Sequence, residues 1–243
     1  MQEVYVVSDI HGQYRPFLRG LNELVKAGDK LFFLGDSIDR GKDSYQVLSL
    51  LLRNKTNNIT MLCGNHELMF LEFCDAVKQY ALLQQINLQS IDDFWDIADI
   101  LKKEHYWTVV NGGDDTLADF KKHIKTIEEL TSIVNKIKNL RYDASIIVNG
   151  MSYYMVHGSP QNAKCEKMLW EEAKITDNYE KYGDYILFGH RMTSHYQDIS
   201  PMEVFFGPNN IIGIDTGAGA PYVGGRVCFF RLRDHKPFYY EII

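Results

Sequence analysis

The chain has 243 residues, of which 45% are hydrophobic and 24% charged, a balance that excludes intrinsic disorder and suits one large domain or two small ones. A net charge of −6 argues against a broad nucleic-acid footprint, which needs an excess of Lys and Arg. No apolar stretch approaches the length of a membrane span, and the opening MQEVYVV lacks the basic start and long apolar run of a signal peptide.

In chain order, residues 4–7 predict a first strand that stops at Ser8-Asp9-Ile10-His11-Gly12. Phe17, Leu18, Leu21, Leu24 and Val25 recur at three- and four-residue spacings and predict a helix. Residues 31–34 predict a second strand, ended by Gly35-Asp36-Ser37-Ile38-Asp39-Arg40-Gly41. A second helix is expected around Val47, Leu48, Leu51 and Leu52, with Asp43 and Ser44 as cap candidates. Residues 59–63 predict a third strand that stops at Gly64-Asn65-His66-Glu67, and a helix follows over 66–87. This β-α-β-α-β order predicts a parallel sheet with crossover helices. Residues 90–143 carry Asp, Glu and Lys among scattered apolar positions and read as a mostly helical insertion or cap in a single domain spanning 1–243. The remainder is strand-rich, with runs at 146–148, 153–156, 185–188, 211–214, 227–232 and 238–243. Within it, VNGMSYY looks like a hairpin and GAGAPYVGG like a glycine-rich loop. The cysteines Cys63, Cys74, Cys165 and Cys228 form no C-x-x-C pair and read as reduced, packed thiols of a cytoplasmic protein.

The apolar runs stop in polar residues of one kind. Besides the three motifs above, two later runs end in His157-Gly158-Ser159-Pro160 and Gly189-His190-Arg191. In a parallel sheet the C-terminal strand ends share one edge, where ligands bind. Asp9, His11, Asp36, Asn65, His157 and His190 can therefore converge although they are far apart in sequence. A lone Asp-x-His is more often a turn, and a lone Gly-His is usually a packed or surface histidine. Five ligand-like turns on five apolar runs point instead to metal. Carboxylate, imidazole and amide oxygen without thiolate suit Mn²⁺, Fe or Zn²⁺. Two such ions need a bridging group, and Asp36 is the candidate carboxylate. A pair of divalent cations of this kind performs phosphoester hydrolysis. His105, His123, His195 and His235 lack this context and read as structural.

The pieces SDIHG, GDSIDRG, GNHE, VHGSP, FGH and IDTGAGAPYVGG together resemble the metallophosphoesterase superfamily, and specifically its bacterial and phage serine/threonine phosphoprotein phosphatase branch. The likeness runs from residue 8 to about residue 225. It implies a four-layer α/β/β/α sandwich of two mixed sheets flanked by helices. It further implies one metal on Asp9, His11 and Asp36 and a second on Asp36, Asn65, His157 and His190, most readily Mn²⁺. His66 matches the general acid, Asp39 its carboxylate orienter and Arg40 the phosphate-binding arginine, with Asn65 also facing the substrate.

Two departures stand out. Ser8 replaces the usual glycine, and residues 158–189 contain no arginine where a second phosphate-binding one is expected. The segment MLWEEAKITD is acidic there, and Arg191 is the candidate replacement. The implied substrate is a phosphorylated protein or small phosphoester, with no nucleic acid or membrane as partner. A dinucleoside polyphosphate hydrolase on the same scaffold is the rival enzyme, although relatives of that kind usually depart from Asp-Arg-Gly and from the final Glu. A binding module would have lost ligands, and a Rossmann-like protein would carry G-x-G-x-x-G after the first strand. No Ser or Cys lies in a nucleophile motif such as G-x-S-x-G, so no phosphoenzyme is expected.

Overall fold

A computed structural model describes residues 2–53, 58–161 and 165–242. Ile243, at the end of the last apolar run, lies outside the described residues. Strands β1 (Val4–Val7), β2 (Lys30–Phe33) and β3 (Ile59–Met61) run parallel, joined by helices α1 (Tyr14–Leu24) and α2 (Ser44–Leu52). β9 (Arg226–Arg231) pairs antiparallel with β1, and β10 (Lys236–Glu241) with β9, to complete a sheet in the order β10-β9-β1-β2-β3. The second sheet contains β4 (Asp143–Val148), β5 (Met151–Val156), β6 (Tyr185–Phe188), β7 (Phe205–Phe206) and β8 (Ile211–Gly213), in the order β4-β5-β6-β8-β7. Here β5, β6 and β8 are parallel, and β4 and β7 are antiparallel edges.

Both faces of β1 are buried, which is why it reads as a continuous apolar run rather than an alternation. Val4 and Val6 enter the core between the sheets with Phe32, Phe230, Met155, Leu187 and Ile212. Tyr5 and Val7 face the helical layer with Phe17, Phe33, Leu48, Phe70 and Phe73. The outer face of the second sheet is covered by α8 (Lys167–Trp170) and irregular segments, through Met168, Ala173 and Tyr179. The architecture is the expected pair of mixed sheets flanked by helices, with one flank thin.

The β4–β5 hairpin turns at Asn149 and Gly150, both left-handed at φ 53° and 83°, the geometry that selects Asn-Gly in two-residue hairpin turns. The insertion resolves into α4 (Ile91–Leu101), α5 (Tyr106–Val110), α6 (Gly113–His123) and α7 (Ile127–Lys138), against the long α3 (Asn65–Leu83). Its Trp107, Leu117, Phe120, Leu130 and Val134 belong to the same core as β1 and β2. The expected 90–143 boundary runs slightly too far, because Asp143 already opens β4. Helix α3 stops four residues short of the expected 87. Asp43 occupies the N-cap position of α2 without a side-chain cap bond. Ser44 is not a cap either, since its hydroxyl accepts the Asp39 N–H at 3.1 Å. The edge strand β7 and the four-residue α8 have too few residues to leave a periodic signal. Cys63, Cys74 and Cys228 are buried free thiols, and Cys165 is a half-buried one. No helix among the described residues is long and apolar enough to cross a membrane.

Candidate metal centre

The C-terminal ends of β1, β2, β3, β5, β6 and β8 lie along one edge of the two sheets and carry Asp9, Asp36, Asn65, His157, His190 and Asp215. The chain turns sharply at each end. Asp9, His11, Asp36, Asp39, Arg40 and His190 all have positive φ, between 48° and 74°, in the left-handed region that costs an L-residue about 1–2 kcal/mol. Close approach also demands glycine at two points. A Cβ on Gly64 would stand 2.1 Å from Asp36 Oδ1, and one on Gly189 would stand 2.1 Å from Asp9 Oδ2.

The His11 and His157 imidazoles are each fixed by a bond from one nitrogen, which aims the other at the centre. His11 Nδ1–H donates to Ile38 O at 2.9 Å, and His157 Nδ1–H donates to Leu34 O at 2.8 Å. His157 Nε2 then meets Asn65 Oδ1 at 2.8 Å, and His190 Nδ1 meets the same oxygen at 2.9 Å. Asp36 stands at the junction. Its Oδ1 is 3.4 Å from His157 Nε2, and its Oδ2 is 3.8 Å from both His11 Nε2 and His66 Nε2. Donor atoms of Asp36, His157 and His190 all lie within 4.8 Å of one another, as do those of His11, Asp36 and His66. Asp36 is thus common to both groups, as a bridging ligand must be.

Electrostatics agree with a cation site. Asp9, Asp36 and Asp215 are nearly inaccessible. Burial, together with the charges of Asp215 and Asp36, holds the Asp9 carboxyl well above its ordinary range. Burial also pushes Asp215 up, to about 6. Asp36 goes the other way: burial opposes its charge, but His157, His66 and His11 outweigh it and keep the carboxyl well below its usual range. Burial likewise opposes an imidazolium at His157, yet the Asp36 carboxylate lifts that histidine to about 10. Burial and the neighbouring His157 lower His190 to about 4. Three crowded carboxylates facing convergent imidazole and amide lone pairs fit divalent cations, which relieve both the repulsion and the unmatched acceptors.

Asp9 was expected beside His11 and Asp36. Its carboxylate accepts the His190 N–H at 3.1 Å on both oxygens and the hydroxyl of Ser8. The serine that replaces glycine in the first motif therefore bonds the Asp9 carboxylate directly. His66 is the unexpected near neighbour of His11 and Asp36. Its Nδ1–H donates to Asp39 Oδ2 at 2.5 Å, leaving Nε2 toward the centre. The Arg40 guanidinium spans the two rings, with Nη1 3.0 Å from His11 Nε2 and Nη2 3.1 Å from His66 Nε2. Arg191 is engaged otherwise: it pairs with Glu172, in the acidic segment, at 3.1 Å.

Sequence reasoning missed four supports. Glu67, fully buried, accepts from Asp36 N–H and Gly64 N–H at 2.9 Å, Ser37 N–H at 2.7 Å and Ser37 Oγ–H at 2.6 Å. Asp215 ends β8 just as Asp9 ends β1, and the Ile-Asp-Thr-Gly run was its signal. Trp107 and Thr116 of the insertion bond to Asp39, which nothing in their local sequence announces. Three of the four histidines read as structural have packing roles, and the fourth, His195, is exposed. His105 caps α5 and meets Phe73 edge-on, His123 stacks on Tyr45, and His235 bonds Tyr153.

A family profile described as calcineurin-like phosphoesterase matches residues 3–194. The chain is 28% identical over 240 residues to serine/threonine-protein phosphatase 2 of Escherichia coli, covering 96% of this chain and 94% of that protein. It is 24% identical over 265 residues to a symmetrical bis(5'-nucleosyl)-tetraphosphatase of Wigglesworthia glossinidia brevipalpis, covering 88% and 90%. Among solved structures, a protein serine/threonine phosphatase from Saccharomyces cerevisiae superposes with a TM-score of 0.59 at 14% identity, covering all of this chain and 80% of that one.

Proposed function

The chain belongs to the calcineurin-like phosphoesterase family, and from that premise we propose that it is a dinuclear serine/threonine phosphoprotein phosphatase, a single catalytic domain acting in the cytoplasm. Asp9, His11 and Asp36 would hold one divalent cation, and Asp36, Asn65, His157 and His190 the other. Mn²⁺ is the first candidate on this oxygen- and imidazole-rich set, with Fe and Zn²⁺ next. When bound, the two cations supply a hydroxide near neutral pH and neutralise charge on phosphoryl oxygens.

The chain's own residues do the rest. Arg40, exposed at the mouth, offers its guanidinium to the equatorial oxygens beside the amide of Asn65. Once Arg40 turns from the His66 ring to the phosphate, Nε2 is free to carry a proton and deliver it to the leaving alkoxide, while Asp39 holds Nδ1–H and stabilises the imidazolium form. Arg191 would have to exchange Glu172 for the phosphate, so Arg40 is assigned the main phosphate contact. The observation that carries this reading is the buried Asp39–His66 pair at 2.5 Å, which holds one ring nitrogen and leaves the outer one facing the centre.

A second reading, hydrolysis of a symmetrical dinucleoside tetraphosphate, is favoured by the near full-length likeness to the Wigglesworthia protein and by the lack of arginine in 158–189. Parallel turnover of a phosphoserine peptide and diadenosine tetraphosphate, before and after chelation and Mn²⁺ readdition, decides between them. The phosphatase reading requires metal-dependent release of phosphate from the peptide. Preference for the dinucleotide overturns it in favour of the second, and full activity after exhaustive chelation overturns both.

A further inference from the structure

The helical insertion has a feature that packing alone does not require. Asp39 has no solvent exposure, and among the described residues every donor to its carboxylate is a side chain. Oδ2 accepts the His66 ring N–H at 2.5 Å and the Trp107 indole N–H at 2.5 Å. Oδ1 accepts the Thr116 hydroxyl at 2.6 Å. That hydroxyl also accepts the Asp39 backbone N–H at 2.8 Å, so one side chain grips the residue at both ends. Asp39 needs the grip, since its φ of 74° is left-handed. Trp107 and Thr116 are themselves fully buried. The indole lies so close to Gly113 that a Cβ there would stand 2.4 Å from its ring atoms, which fixes the indole in place.

A carboxylate bonded only to His66 could pivot about its side-chain torsion and carry the imidazole with it. Two further donors on opposite oxygens remove that freedom and supply the hydrogen bonds that a buried carboxylate requires. We propose that Trp107 and Thr116, from α5 and α6, are positioning residues for proton donation: they lock the Asp39 carboxylate and thereby aim His66 at the leaving group. This rests on the assignment of His66 as proton donor. It gives the insertion a part in the chemistry.

The test uses the full chain loaded with Mn²⁺ and two aryl phosphates, p-nitrophenyl phosphate with a good leaving group and phenyl phosphate with a poor one. Thr116→Val should lower kcat on phenyl phosphate by about tenfold and on p-nitrophenyl phosphate by less than about threefold, the scale of one hydrogen bond to a charged acceptor acting mainly where the leaving group needs its proton. KM and metal content should hold, and Thr116→Ser should restore the parent profile. In an Asp39→Asn background Thr116→Val should add nothing, because both act through one carboxylate. Trp107→Phe should show the same leaving-group selectivity, and if it does not fold the threonine series still decides. Equal losses on both substrates, or a loss that persists in the Asp39→Asn background, would reduce the two residues to core packing and overturn the proposal. His66→Asn is the control. If it shows no leaving-group selectivity, the proton-donor assignment itself fails and the proposal with it. If it does and Thr116→Val does not, the proposal alone fails.

Discussion

Glu67→Gln tests how the middle motif is anchored. The carboxylate holds four donors, three of them backbone N–H groups from Asp36, Ser37 and Gly64. An amide of the same shape keeps one acceptor oxygen. The better flip leaves Oε1 on the Asp36 and Gly64 side, and there the Ser37 hydroxyl can turn to accept while the Ser37 N–H faces an NH₂ group. One charge-assisted bond, worth about 1.5–3 kcal/mol, is lost outright, and two others fall to neutral strength at about 1 kcal/mol each. Against this, removing the charge relieves the burial and the repulsion from Asp36 that raise the Glu67 carboxyl above its ordinary range. The net cost is therefore set at the lower end, about 3 kcal/mol, a large part of the 5–15 kcal/mol that holds a typical domain together. Urea denaturation of the metal-free variant and parent at neutral pH measures it. Because the anchor shared by Asp36 and Gly64 loses its charge and the Ser37 N–H loses its acceptor, metal affinity should fall as well. A variant within about 1 kcal/mol of the parent would show that Glu67 is not what ties the β2 end to α3.

Asp36→Asn should lose activity and bind both cations more weakly, since one carboxylate serves both groups; two metals per chain by elemental analysis with near-parental turnover would dismiss it as the bridge. Gly64→Ala should destabilise the fold by about 1–3 kcal/mol, because the new Cβ would meet Asp36 Oδ1 at 2.1 Å and Asp36 N at 2.4 Å; a parental melting temperature would contradict that crowding. Asp215 gives a pH signature in the metal-free protein. Its folded-state carboxyl, raised from the ordinary 3.8 to about 6, holds a proton that the unfolded chain has released, so its contribution to stability falls as pH rises through that window. Asp215→Asn should match the parent below pH 4 apart from a constant offset and gain on it up to pH 6, by a total of about 3 kcal/mol. A stability difference flat across that range would remove Asp215 from the crowded carboxylates.

Much of this candidate site was legible because its convergent residues sit where apolar runs stop. Asp9, His11, Asp36, Asn65, His157 and His190 each punctuate a buried strand, and parallel order puts those ends on one edge. The order of the early strands and helices was equally open, since β1, β2, α1 and α3 have strong apolar patterns. What stayed hidden depends on long-range contact. Thr116 lies 77 residues from Asp39, and Trp107 lies 68; neither stands in a motif, and both look like ordinary helix residues. The pairing of Arg191 with Glu172 was equally out of reach, because charge sign along the chain does not say which partner a flexible guanidinium finds. β7 spans two residues, below what any periodicity resolves.

The left-handed backbone at Asp9, His11, Asp36, Asp39, Arg40 and His190 has a consequence for engineering. The backbone at each of these positions would be more comfortable as glycine, and Asp9, whose carboxyl is held above its ordinary range, would be more comfortable as an amide. A library selected for heat resistance alone, without a turnover screen and without metal in the medium, should enrich substitutions at these six positions before it improves any loop. The hottest survivors of such a selection would be inert, and a survey of where its gains accumulate would trace the outline of the active site.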